Sequence, residues 1–556
     1  MQRLENGPAA RQVAAGSESP QAAVLGGPLP LAGREALVVL LLVVVEAMLF
    51  GSHLLHGGLY TDEWSITAIQ HDVGTWGLFD ALVGSNHDRP LGALYLSITT
   101  ALSGTNPHLH ALWGLLALLA TTSTVYLLLR LLSLRVRDAL AVALLFMVFP
   151  FGDSAWLWAS GSCLAIALAA LGGSLALVGL QREGRAAVAY HIGALVLFAS
   201  SILTYQVAAG VICLSVFMYL PRVGRRRAIV LWVADICVVV LALSLPQLIT
   251  GSAGATADPV IPLGEQLDHA KLLANQGLVL LTVVLVPFGG PHRNVVLPIA
   301  LVIGCMGALL AWRARTEPEL RNRLYRWLLM VVAGGLVVAA AYAIYVPAPI
   351  SLYQPLGKGE ENRLNVMASL GYVIIVYALA VVLATSVVRL LRRPPAWAPA
   401  IGLAIAAVVF VGYALRTRQD VAAWNRAGSI QRRELGELRS AGRPAPRTTI
   451  YAFGGIGATA PGVYAFRVTW DLNTAVELLW NDTTLHAYPI FTGTQMTCTA
   501  TQVVPVGPSN GDSIGQAANY QHAVFYDFRS GRQQRIANAP ACAQAVASFV
   551  PGPVEE

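Results

Sequence analysis

Residues 35–64, EALVVLLLVVVEAMLFGSHLLHGGLYTDEW, decide the fold. Positions 35–56 form an apolar run of about the 20 residues that a bilayer-spanning helix needs, and the acidic pair Asp62-Glu63 follows directly between Tyr60 and Trp64. About 25 residues on comes His87-Asp88-Arg89-Pro90, so the segment 57–106 gathers carboxylates and a cation beside the first predicted span.

The rest of the chain has the same character. Of 556 residues 56% are hydrophobic and only 12% charged, and the mean hydropathy is +0.60, far too apolar for a soluble protein of this size. Ten further segments read as spans or near-spans: 107–132, 138–157, 160–180, 186–203, 205–220, 228–249, 294–312, 327–347, 364–388 and 397–415. The reading is therefore a polytopic α-helical membrane protein with about 11 spans, a polar N-terminal tail (1–34) that is expected to be cytoplasmic and disordered, and an outer region from 416. The tail is too long for the n-region of a cleaved signal peptide, so the first span is expected to stay in place.

The net charge of +7 does not point to nucleic acid, because the basic residues fall in short clusters between apolar runs. With the N-terminus inside, the inner segments before residue 416 hold twenty Arg, including Arg130, Arg135, Arg137, Arg222 and Arg225 to Arg227. The outer loops hold only five basic residues: Arg89, Lys271, Arg293, Lys358 and Arg363. The positive-inside rule then places 57–106, 250–293, 348–363 and the tail outside. Segment 91–103 is apolar but short; it is read as lying along the interface, since counting it as a span would turn every Arg cluster outward. Lys occurs only at 271 and 358, an Arg bias that suggests a GC-rich bacterial source.

The tail opens with a charged helical stretch (417–440) and a Pro-containing linker at 443–446. Strand-like runs at 448–453 and 522–528 follow, which predicts a small α/β domain. Cys498 and Cys542 in this domain would pair if it faces an oxidising compartment; Cys163, Cys213, Cys237 and Cys305 lie in apolar spans. Gly455-Ile456-Gly457 half-matches a dinucleotide fingerprint but lacks the helix and acid that would give it meaning.

Carboxylates at the end of a span can simply mark the membrane boundary. Their company argues otherwise. Asp88 and Arg89 share the loop, Asp153 ends the third span, Arg363 opens the tenth, and His292 with Arg293 sits in a glycine-rich loop. A guanidinium is a planar fork suited to phosphate oxygens, and a nearby carboxylate can take a proton from an attacking hydroxyl. Within the bilayer, Glu46, His191 and Asp235 are costly and are expected to be paired structurally.

This arrangement, a first helix, an outer loop opening with Asp-Glu, a cation-Pro element with an apolar interfacial helix and then a returning helix, resembles the C-type (GT-C) glycosyltransferases. It is most similar to the branch of protein O-mannosyltransferases and aminoarabinose transferases, over roughly residues 35–220. A single Pro stands where Lys-Pro-Pro is common in that branch, and Asp88 precedes Arg89. The resemblance implies Asp62 as catalytic carboxylate with Glu63 beside it, and Arg89 and Arg363 on the donor phosphate. Apart from the resemblance, His292 and Arg293 are candidate phosphate contacts, and Asp88 and Asp153 candidate auxiliary or acceptor groups, an Asp after Phe151-Gly152 being otherwise a turn residue. The expected function is transfer of a sugar from a polyprenyl-phosphate donor to a glycan or lipid-linked acceptor at the outer face, with no cofactor required and a divalent cation compatible. The alternatives are a transporter or flippase of lipid-linked sugars and a non-enzymatic membrane anchor.

Overall fold

Helix α1 (Arg34–His56) buries Val38, Leu42, Glu46 and Phe50, a four-residue spacing that forms one inward stripe. Leu37, Leu40, Val44 and Met48 on its other sides are exposed, the pattern of a helix whose outer face meets lipid. The computed structural model describes residues 33–85, 87–158, 162–250, 261–288, 317–348, 355–356, 359–466, 469–507 and 515–553. The predicted span 294–312, His292, Arg293 and residues 1–32 lie outside the described residues.

After α1 come α2 (Asp62–Ser85), α3 (Pro90–Ser103), α4 (Pro107–Leu131), α5 (Val136–Met147), the single turn α6 (Ser154–Leu157), α7 (Ser162–Gly179) and α8 (Gly184–Thr204). Two more single turns, α9 (Ala209–Ile212) and α10 (Val216–Tyr219), precede α11 (Arg225–Thr250), α12 (Leu263–Leu285), α13 (Pro318–Ala343), α14 (Asn365–Leu390) and α15 (Trp397–Ser440). Among the described residues eight of these are long and apolar enough to cross a bilayer: α1, α4, α7, α8, α11, α13, α14 and α15. The chain is thus polytopic and mainly helical.

Three expectations change. The run 138–157 is broken after Met147, where Phe149-Pro150-Phe151-Gly152 interposes a proline that cannot continue the helix. The run 205–220 is a chain of single turns, and the Trp232 indole donates at 2.8 Å to the Cys213 carbonyl there. The loop expected at 250–293 contains the 23-residue helix α12. Segment 91–103 does form a separate short helix, α3, of 14 residues.

The Arg-bearing helix ends meet one another. Arg130 at the end of α4 bonds Glu35 at the start of α1 at 3.3 Å, Arg222 reaches the Leu131 carbonyl at 3.5 Å, and Arg389 pairs with Glu317 at 2.9 Å. The start of α1 therefore lies beside the end of α4, so the chain between them returns to the same face with α3 as a short non-crossing helix. Of the costly intramembrane groups, His191 pairs with Asp235 at 3.6 Å, and Asp235 accepts from Ser215 at 2.6 Å and Tyr219 at 2.7 Å; the pairing expected for Glu46 is not found, its Oε2 being buried without a hydrogen-bond partner among the described residues.

Beyond α15 the strands β1 (Thr449–Phe453), β2 (Ala458–Ala460), β3 (Val463–Tyr464), β4 (His486–Ile490), β5 (Gln495–Cys498), β6 (Gln502–Val506), β7 (Ala518–Asn519), β8 (Ala523–Asp527) and β9 (Arg532–Arg535) alternate with α16 (Thr469–Trp480) and α17 (Ala539–Ser548). The main sheet has the order β4-β1-β8-β9, with β1 parallel to both neighbours and β9 antiparallel at the edge. The small α/β domain expected from the sequence is present.

Cys498 and Cys542 form a disulfide between β5 and α17, 44 residues apart. Closing a loop of that length restricts the unfolded chain by about 4 kcal/mol. Replacing both cysteines by Ala is expected to lower the domain's unfolding free energy by about 2–4 kcal/mol, read by denaturant titration of the Trp and Tyr signal.

Candidate active site at the C-terminal end of helix α1

The chain turns sharply between α1 and α2. Thr61 takes φ +43, unusual for a β-branched residue, and lets α2 begin at Asp62, two positions after Tyr60. Tyr60 is locked: its hydroxyl donates to the Trp424 carbonyl and accepts from Gly58 N–H, both at 2.8 Å, and its ring meets the Trp424 ring edge-on. His53 stacks on its other side and bonds Asn425 at 2.9 Å and the Leu157 carbonyl at 3.0 Å. The two acidic residues then diverge. Glu63 is buried and its Oε2 accepts from the Tyr60 N–H at 2.8 Å, reaching back as in a capping box. Asp62 is exposed.

A cavity of about 350 Å³ opens there, with Asp62, Glu63, Arg89 and Arg363 in its wall. These residues come from the start of α2, the start of α3 and the 3₁₀ turn Gly359–Leu364 before α14. Surrounding protein raises the Asp62 carboxyl above its ordinary range by desolvation, and the Arg363 charge pulls it back down. Each guanidinium rests on an aromatic ring: Arg89 lies 4.4 Å from the Tyr205 centroid and Arg363 5.3 Å from that of Trp158. Arg89 is also the N-cap of α3, with Pro90 next, so its charge adds to the positive end of that helix.

Of the other predicted residues, His292 and Arg293 lie outside the described residues, and Asp88 and Asp153 lie around this cavity rather than on it. Asp88 bonds Arg89 Nε at 3.2 Å and accepts from Gln206 Nε2 at 2.7 Å, which fixes the arginine's stem. Asp153 is 1% exposed and accepts from Asn362 Nδ2 and, at 2.9 Å, from Trp424 Nε1. Burial pushes its carboxyl up to about 6 against those hydrogen bonds. Since Asn362 precedes Arg363, Asp153 acts on the site by holding the turn. Asp153→Ala would leave two buried donors without partners, and a loss of about 2–4 kcal/mol is expected in a denaturant titration. Sequence reading missed His110, Trp113, Trp158, Thr204 and Tyr205, all in the cavity wall; they come from three distant segments and form no motif. No group of three or more His, Cys, Asp or Glu side chains placed to hold a metal occurs among the described residues.

No protein-family model and no curated protein matches the chain. Two solved structures resemble it. One is ArnT from Cupriavidus metallidurans in the apo state, with a TM-score of 0.43 and 13% identity over 79% of this chain and 85% of that one. The other is the same protein bound to undecaprenyl phosphate, with a TM-score of 0.40 and 13% identity over 81% and 85% of the two chains. Likeness at this level concerns overall form and carries nothing about residues or substrate.

Proposed function

We propose that the protein is a glycosyltransferase that moves a sugar from a polyprenyl-phosphate donor to an acceptor hydroxyl of the cell envelope, with inversion, at the outer face of the plasma membrane. The observation that carries this reading is that one cavity joins a solvent-facing carboxylate, Asp62, to two ring-supported arginines, Arg89 and Arg363, from segments far apart in the chain. In the reaction the acceptor oxygen attacks the anomeric carbon as Asp62 takes its proton, and the bond from that carbon to the phosphate oxygen breaks. The departing polyprenyl phosphate gains negative charge, which Arg89 and Arg363 offset. The displacement needs positioning, a base and charge neutralisation, all within reach of this chain's residues; a divalent cation beside the phosphate is compatible with it.

A lipid-linked donor follows from location. The excess of Arg in the clustered helix ends supports an inner position for that face and an outer one for the cavity, and the disulfide of the C-terminal domain, a bond kept in oxidising compartments, supports the same orientation. Sugar nucleotides are confined to the cytoplasm, whereas a lipid-borne sugar reaches the outer leaflet. The domain beyond α15 would hold the acceptor, a cell-wall glycan or lipid-linked polymer. A transporter of lipid-linked sugars would draw on Glu46, His191 and Asp235; none of the three is in the cavity wall, and Asp235 is engaged by Ser215 and Tyr219 with His191 beside it at 3.6 Å.

The test is transfer by the purified protein in lipid from a panel of radiolabelled polyprenyl-phosphate sugars to envelope glycans. Label moved from lipid to glycan supports the assignment; movement of intact lipid-linked sugar between leaflets with no transfer would favour the transporter.

A further inference from the structure

The turn that carries Arg363 is gripped from two sides. From the membrane domain, Asn362 is held by Asp153 and by the Ser154 hydroxyl, which donates at 2.7 Å to Asn362 Oδ1. From the C-terminal domain, Gly462 meets the start of the turn: its carbonyl accepts from Glu360 N–H at 2.8 Å. Gly359 and Gly462 both take positive φ, +54 and +72. They approach so closely that a Cβ on Gly359 would fall 2.2 Å from the carbonyl carbon and oxygen of Gly462. A side chain at 359 has no room in this backbone contact, and the positive φ at both positions favours glycine.

Gly462 lies at the tip of the β2–β3 hairpin, which is anchored in the membrane domain. Val463 and Ala465 are 3% and 0% exposed, within the main apolar core. Thr459 Oγ1 donates at 2.8 Å to the Ala423 carbonyl of α15. Gln431 of α15 donates at 2.9 Å to the Ala465 carbonyl and also to that of Leu59, just before Asp62. The hairpin thus touches the turn that carries Arg363 and is tied through Gln431 to the segment that leads into Asp62.

We propose that the β2–β3 hairpin is a positioning element of the donor site: the Gly462 tip sets the Gly359–Leu364 turn and so aims Arg363 at the donor phosphate. This rests on the reading of Arg363 as a phosphate ligand. Fixed charges neutralise a leaving phosphate best when their geometry is set before the reaction; the end of the turn is fixed by α14, which begins at Asn365, and its start is met by the Gly462 contact. The C-terminal domain then builds part of the phosphate site as well as facing the acceptor.

The test uses the full-length protein in lipid nanodiscs, a short-chain polyprenyl phosphate as probe, and hydrogen exchange of the peptide covering 359–364. Gly359→Ala is expected to speed exchange in that peptide and to weaken probe binding about tenfold. The double variant Gly359→Ala, Arg363→Ala is expected to bind no worse than Arg363→Ala alone, since both changes remove one contribution. Thr459→Val, which loosens the hairpin from α15 without touching the glycine contact, is expected to move both readouts the same way by a smaller factor and remains informative if Gly359→Ala does not fold. Unchanged exchange at 359–364 in both variants, or losses that add fully in the double variant, overturns the proposal. If Arg363→Ala binds the probe like wild type, the phosphate reading itself fails; the exchange data then still decide whether the hairpin holds the turn.

Discussion

Asp62→Asn is expected to lower sugar transfer about 100-fold or more, the usual loss when a general base is removed, while the protein folds and binds polyprenyl phosphate as before. Asn keeps the size and polarity of the side chain and removes only the ionised oxygen that accepts the proton. The neighbouring carboxylate is poorly placed to replace it, because Glu63 is buried with Oε2 on the Tyr60 amide. Asp62 stands instead at the exposed first position of α2, and its raised carboxyl is a better proton acceptor than an ordinary aspartate. Steady-state transfer alongside probe binding checks the split; wild-type transfer in the variant would remove Asp62 from the chemistry.

Arg363→Ala is expected to cost about 100-fold in transfer, the scale seen when one preorganised donor to a developing charge is lost. It carries a second signature. The Arg363 charge holds the Asp62 carboxyl down against the desolvation that raises it, and the base works only when ionised, so activity falls as the pH drops through its pKa. Removing the arginine lets that pKa climb. The acid limb of the kcat/KM profile should therefore move to higher pH in Arg363→Ala, and an unmoved limb with reduced activity would separate the arginine from Asp62.

Much of this was legible in the chain because apolar length and charge asymmetry are strong signals. The run at 35–56 and the interfacial segment 91–103 appear as α1 and α3, and the strands expected at 448–453 and 522–528 are β1 and β8. Helix α12 was hidden because Glu265, Asp268 and Lys271 dilute its first turns, while the later Val279, Leu280, Val283 and Val284 are buried. The break after Met147 was readable at Pro150. The breaks through 206–219 were not, because a tryptophan from a different helix satisfies a carbonyl there. At the cavity the ionic residues were visible one by one, since charges in outer loops are scarce. The rings of Trp158 and Tyr205 beneath the two arginines are a product of tertiary packing and leave no local pattern.

Helix α15 runs without interruption for 44 residues, from the membrane domain to the foot of the β-domain. At 1.5 Å per residue that is a rod about 66 Å long, roughly twice the thickness of the hydrocarbon layer it enters. It works as a ruler and a clock hand together. On the proposed reading, an acceptor seated on the β-domain would be met at a fixed height above the lipid and at a fixed compass bearing around the bundle, and a single residue inserted into the rod would lift that seat by about 1.5 Å and swing it by about 100°.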